Sequence, residues 1–131
     1  MLLNGPVVSV CGKCHSDTVE LQKLSIENPK NKKLCEPIKT GNCVVCHSPH
    51  SSDNELLMVK SSTIDLCAEC HKWETHSTHP IGKKIIDQRN KNITLDCLSC
   101  HKACGTDNYP SMLHFENTYE MCVQCHLDRR R

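Results

Sequence analysis

Aromatic residues are almost missing from this sequence. Trp73, Phe115, Tyr109 and Tyr119 are the whole inventory, 3% of 131 residues. With a mean hydropathy of −0.48, so little bulky apolar material supplies a packed protein core poorly. Long apolar runs are also lacking, and no stretch reaches the roughly 20 residues that a membrane-crossing helix needs. An excess of one charge is missing too: 16 Lys and Arg stand against 15 Asp and Glu, a formal charge of +1. The basic run Arg129-Arg130-Arg131 is too short to read as a nucleic-acid or membrane patch, so a solvated tail or a partner contact is expected there. Finally, Met1 to Val10 has no basic n-region and too short an apolar run for a signal peptide.

What the chain does have is 12 cysteines and 9 histidines. Ten of the cysteines and five of the histidines fall into one repeated pattern, C-x-x-C-H. The first copy is Cys11, Cys14 and His15, and the second is Cys43, Cys46 and His47. Cys67, Cys70 and His71 make the third, Cys97, Cys100 and His101 the fourth, and Cys122, Cys125 and His126 the fifth. This is the attachment pattern of a c-type haem. Residues i, i+3 and i+4 of one helical turn share a face, so two sulfurs and an imidazole meet one flat cofactor. The sulfurs form thioethers to the porphyrin, and His15, His47, His71, His101 and His126 become the proximal iron ligands.

Paired cysteines also suit zinc ribbons and disulfide scaffolds. Cys43 and Cys46 followed by Cys67 and Cys70 have a zinc-like spacing. Neither alternative requires a histidine directly after every second cysteine, and five such placements by accident have a probability of roughly one in a million. Five haem c groups are therefore expected. They would take the place of the missing core, about 26 residues to each haem, with neighbouring porphyrins in or near contact. Their propionates are expected to engage many of the Lys and Arg side chains. Multiple thioether attachments of this kind are made beyond the cytoplasmic membrane, so the chain is expected to be exported to the periplasm or cell exterior, with its signal already removed.

Along the chain, residues 1–42 read as an N-terminal one-haem segment with a helix near Asp17 to Asn28, ended by Pro29, and a polar linker at Lys30, Lys32 and Lys33. Residues 43–131 hold a duplication, with two-haem repeats at 43–71 and 97–126. Setting Cys43 on Cys97 also superimposes Asp53-Asn54 on Asp107-Asn108 and Met58 on Met112. Helix-start signals precede three motifs at Thr63-Ile64-Asp65, Thr94-Leu95-Asp96 and Thr118-Tyr119-Glu120. Ser48 to Asn54, Pro80-Ile81-Gly82 and Gly105 to Pro110 read as turns. The expected fold is mainly irregular with short α-helices and almost no β, one compact unit organised around five stacked haems.

The run Cys43-Val44-Val45-Cys46-His47-Ser48-Pro49-His50, followed by Asp53-Asn54, Leu56-Leu57, Cys67 to His71 and His79-Pro80-Ile81-Gly82, resembles the doubled C-x-x-C-H multihaem cytochromes. The likeness extends over residues 43 to 126. It implies that His50 ligates a haem other than its neighbour's, and that His79 is likewise a distal ligand. Some relatives form extracellular filaments, while others are soluble carriers or parts of larger complexes.

Histidine arithmetic completes the expected site. Five histidines are proximal, which leaves His50, His76, His79 and His114 for distal duty or as surface residues. Five hexacoordinate irons need ten ligands, so nine histidines leave at least one position unfilled. Met112 and Met58 are the first candidates. Met121, Cys104, the N-terminal amine, a ligand from another protein and an open site follow. The second repeat has Cys104 where the first has His50, so the exception is expected at the haem corresponding to the His50-ligated one. Cys35 and Cys104 stand outside the motifs: a disulfide between them is the first reading, with free thiols or a Cys104 thiolate ligand as the others.

A chain of closed, low-spin irons passes electrons without binding substrate. Electron transfer is therefore the expected function, with other redox proteins or copies of the chain as partners and no nucleic acid. The competing class is a reductase with one open iron acting on a small oxidised molecule such as nitrite.

Overall fold

In the computed structural model the described residues are 5–31, 34–75, 79–106 and 110–131. The sequence-based readings at Lys32, Lys33, His76, Asp107, Asn108 and Tyr109, and that of the N-terminal amine, lie outside them. Five α-helices occur: α1 (Val7–Cys11), α2 (Ser16–Glu27), α3 (Glu36–Thr40), α4 (Thr63–Ala68) and α5 (Thr118–Cys122). Single 3-10 turns fall between and after them, and one antiparallel hairpin pairs β1 (Ile86–Asp87) with β2 (Asn90–Thr94). The mainly irregular, weakly helical architecture agrees with the sequence reading. The hairpin has no counterpart in that reading, because its strands are too short and polar to show a period-2 pattern.

The longest helix, α2, starts directly after the first motif, with His15 at its N-cap position and Asp17 in its first turn. Its Ser25 is fully buried. The Ser25 hydroxyl donates to the Thr106 carbonyl at 2.8 Å and accepts from the Thr106 N–H at 2.6 Å. Gly105 makes this approach possible. Its φ is +112°, and a Cβ there would stand 2.7 Å from Ser25 Oγ and 2.9 Å from the Leu21 carbonyl oxygen. The N-terminal segment is thus fastened to the second repeat by a side-chain-to-backbone clasp. The sequence suggests a disulfide for that link, but Cys35 and Cys104 are unbonded thiols here.

Two more contacts set the motifs in space. Gly41 ends α3 in the left-handed region at φ +68°, and a Cβ on it would lie 2.7 Å from Val8 Cβ. This close approach lays α1 against the turn carrying Cys43. Farther along, Asp87 is 1% exposed and takes Arg89 in a two-pronged ion pair, with bonds of 2.9 and 2.6 Å. The same guanidinium donates to the Ser99 carbonyl at 3.0 Å, so the hairpin is tied to the turn of the fourth motif.

An apolar core is nearly absent. Among the described residues Val123 is the sole buried hydrophobic side chain, whereas Leu56 is 82% exposed. The chain's accessible surface is 9981 Å². A folded monomer of 14.8 kDa is expected to show about 7,000 Å².

Candidate cofactor-attachment sites

The five motifs adopt one local geometry. In each, the carbonyl of the first cysteine accepts from the histidine N–H at 2.9–3.0 Å and from the second cysteine's N–H at 3.2–3.4 Å. The host element differs. Cys11, Cys67 and Cys122 lie in α1, α4 and α5, while Cys43–Val45 and Cys97–Ser99 are 3-10 turns. Five different sequence surroundings therefore converge on one turn, in which the two sulfurs and the imidazole share a face.

None of these ten cysteines is buried, and Cys14, Cys70 and Cys122 are exposed. Cys14 has the plainest setting. It falls in the turn between α1 and α2, where its N–H donates to the Cys11 carbonyl at 3.2 Å and its thiol faces outward. Cysteine is ordinarily among the most buried residue types. The sequence reading puts Cys14 and its nine fellows around a cofactor core, and the polypeptide alone does not cover them.

Capping explains where three of the turns begin. The Ser62 hydroxyl accepts from the Asp65 N–H at 3.3 Å, and the Asn117 side chain accepts from the Glu120 N–H at 2.9 Å. At the fourth motif Asp96 accepts from Leu98 and Ser99, and Ser99 Oγ accepts from the Asp96 N–H, a reciprocal capping box. The caps expected at Thr63 and Thr118 thus sit one residue earlier. Serine and asparagine rank above threonine at this position, which is the clue the sequence offers.

The duplication is most exact around the second and fourth motifs. His47 Nδ1–H donates to the Leu56 carbonyl at 2.7 Å, and His101 Nδ1–H donates to the Ser111 carbonyl at 3.0 Å. Those carbonyls are aimed by paired left-handed residues, Leu56-Leu57 (φ 53° and 57°) and Ser111-Met112 (φ 54° and 55°). Such a φ is costly outside glycine, and a run of two cannot be read from composition. Its effect on the chemistry is direct. With the proton held on Nδ1, Nε2 has the lone pair that ligates a metal, and the ring orientation is set.

These bonds correct the repeat register. His47 bridges Met58, but His101 bridges Leu113, and Val59 N–H to Cys46 O matches His114 N–H to Cys100 O. The second repeat carries one extra residue between Lys102 and Ser111. Met58 therefore corresponds to Leu113 rather than to Met112, and the argument for methionine ligation from matched positions no longer stands.

The attachment motifs also pair. Helix α1 packs against the Cys43–Val45 turn and α4 against the Cys97–Ser99 turn. Burial first, then the Cys97 thiol, pushes the Cys67 thiol up to about 12. Burial and the Cys11 thiol likewise raise Cys43. Motifs one and two are neighbours, as are three and four.

Of the expected distal ligands, His79 is the best placed. Its ring centroid lies 6.3 Å from that of the fifth proximal histidine, His126, with planes at 69°. Its Nδ1–H donates to the Pro80 carbonyl at 3.0 Å. His114 is arranged differently: its Nε2–H donates to the Leu98 carbonyl at 2.9 Å, so ligation through that nitrogen requires this bond to break. His50 is exposed, as is Cys104. Met58, Met112 and Met121 are half-buried. Cys35 Sγ, the other half of the expected disulfide, stands 4.0 Å from His71 Nε2.

The donor set fits haem. Among the described residues no three or more His, Cys, Asp or Glu side chains converge as a cage for a bare metal ion. Instead, sulfur pairs and single imidazoles recur on turns at the surface, and the chain brings little apolar core of its own. A search of curated proteins finds no significant match. The family model described as the doubled CXXCH motif matches residues 36–76 and 91–131, together more than half of the chain. The two matched stretches hold four of the five motifs. The chain belongs to the doubled CXXCH motif family of multihaem c-type cytochromes, proteins that bind haem c covalently and transfer electrons.

Proposed function

We propose that this chain carries five haem c groups and conducts electrons along them as an exported carrier or as one unit of a larger cytochrome assembly. The observation that carries the reading is the five-fold recurrence of one attachment turn, with motifs one and two, and three and four, packed as neighbours. Haems held by neighbouring motifs would lie close together. Electrons could then pass between them without crossing a thickness of protein.

The His79–His126 geometry supports a closed iron at the fifth site. A metal–imidazole bond of about 2.0–2.1 Å on each side, plus about 1.1 Å from nitrogen to ring centre, sets two trans imidazoles roughly 6.3 Å apart. The rings stand 6.3 Å apart. Cys122 and Cys125 would hold that haem, with His126 and His79 on its two faces. Haem supplies the one-electron chemistry, while the protein supplies attachment, ligand orientation and exclusion of substrate from the iron. No helix among the described residues is long and apolar enough to cross a membrane. Redox proteins or further copies of the chain would be its partners.

Intact-mass analysis of the matured protein tests the stoichiometry, with five covalent haems expected. Four or fewer would overturn it. Carbon monoxide titration separates conduction from the reductase reading: stoichiometric binding in the reduced wild-type protein, with turnover of nitrite, would displace electron transfer as the main role.

A further inference from the structure

We propose that Cys35 is the sixth ligand of the iron held by Cys67, Cys70 and His71, an inference that rests on the haem reading above. Nine histidines cannot fill ten axial positions, so at least one closed iron needs a different donor. Cys35 is where the chain puts one. Its Sγ lies 4.0 Å from His71 Nε2, the atom that a C-x-x-C-H turn presents to iron. Imidazole and thiolate on opposite faces of one metal, with bonds of about 2.0–2.1 and 2.3 Å, stand about 4.3 Å apart. The observed gap differs from this by a few tenths of an ångström. Read as a hydrogen bond between sulfur and nitrogen, 4.0 Å is at the outer edge of contact.

The backbone holds the sulfur in place. Cys35 precedes α3, and its carbonyl accepts from the Ile38 and Lys39 N–H groups, both at 3.0 Å. Pro37, near the helix start, stiffens the approach. The thiol is within electrostatic reach of both Cys70 and Cys67, the two attachment sulfurs of the same motif.

Ligation requires only a proton. The Cys35 thiol would release H⁺ to solvent, any water on the ferric iron would leave to solvent, and the sulfur lone pair would take that position. No electron is transferred. A thiolate pushes electron density onto the metal and favours the ferric state, so this haem becomes the lowest-potential member of the chain.

The test is made on matured full-length protein, as wild type, C35A and C35H. In wild type, electron paramagnetic resonance should show one haem equivalent of imidazole–thiolate low-spin signal beside the bis-imidazole signals. C35A should lose that signal and gain one equivalent of high-spin iron, with the haem count unchanged by mass. C35H should restore low-spin iron as a bis-imidazole site and raise the lowest midpoint potential in a redox titration. Identical spectra for wild type and C35A would overturn the assignment, as would recovery of a Cys35–Cys104 disulfide in a non-reducing peptide map. Absence of haem on the peptide of wild type that spans Cys67 and Cys70 would instead overturn the haem reading itself.

Discussion

His79 and Asp87 show how single side chains govern this molecule. His79 lies beside His126, ring centroids 6.3 Å apart at 69°, and is proposed above as the second ligand of that iron. Replacing it by alanine should open one iron, so that reduced H79A binds one equivalent of carbon monoxide that wild type does not. Unchanged carbon monoxide binding would mean that the two rings do not share a metal. Asp87 has a structural role. Hydrogen bonds from the Arg89 guanidinium hold its carboxyl below the usual carboxylate range. Because the folded form favours the ionised state, the stabilisation is complete above the ordinary value near 4, and it is lost as pH falls through the lowered one. D87N should cost about 1–3 kcal/mol at neutral pH, the penalty for stripping a buried partner from a charged pair. Its urea midpoint should also lose part of the fall that wild type shows as pH drops below about 4. Equal acid sensitivity in both proteins would remove Asp87 from the account.

Helices α4 and α5 are too short to persist unaided and owe their position to caps and to the haem-binding turns they lead into. Asn117→Ala should destabilise the matured protein by about 1 kcal/mol, and Ser62→Ala by a similar amount, in chemical denaturation. Alanine at Thr63 or Thr118 should cost less, which separates the observed caps from those expected one residue later. The clasp between α2 and the second repeat is more demanding. G105A combines a left-handed φ with a Cβ 2.7 Å from Ser25 Oγ, and both effects act in the same direction. A loss of about 2 kcal/mol or more is expected. A G105A denaturation midpoint equal to wild type would show that the Ser25–Thr106 contact is not fixed in solution.

Taken whole, the polypeptide has too much surface for its mass. The surplus of about 3,000 Å² over a typical folded monomer, if shared among the five haems proposed, is about 600 Å² each, of the order that the two faces of a porphyrin can cover. Chain produced without haem attachment should therefore lack cooperative unfolding, in contrast to the matured protein; a sharp transition in the unmatured chain would contradict haem as its core. From residue order alone came the five C-x-x-C-H motifs and the expectation of attachment cysteines and proximal histidines, because thioether attachment and proximal ligation are completed within five consecutive residues and follow from spacing. The exposure of thiols such as Cys14 was not legible there, since a motif states what a sulfur can bind and not what covers it. The sequence also carried the short-helix character, the duplication and, in spacings of 24 residues from Cys43 to Cys67 and 25 from Cys97 to Cys122, one added residue; only the His101–Leu113 bridge places that residue between Lys102 and Ser111. Folding in three dimensions determined which motif neighbours which, that Leu56 and Ser111 fix the His47 and His101 tautomers, that His79 meets His126, and that Cys35 faces His71 rather than bonding Cys104. Those contacts join groups as many as 81 residues apart. No local period or propensity encodes such a meeting; it depends on left-handed turns and close glycine approaches that steer the chain back on itself.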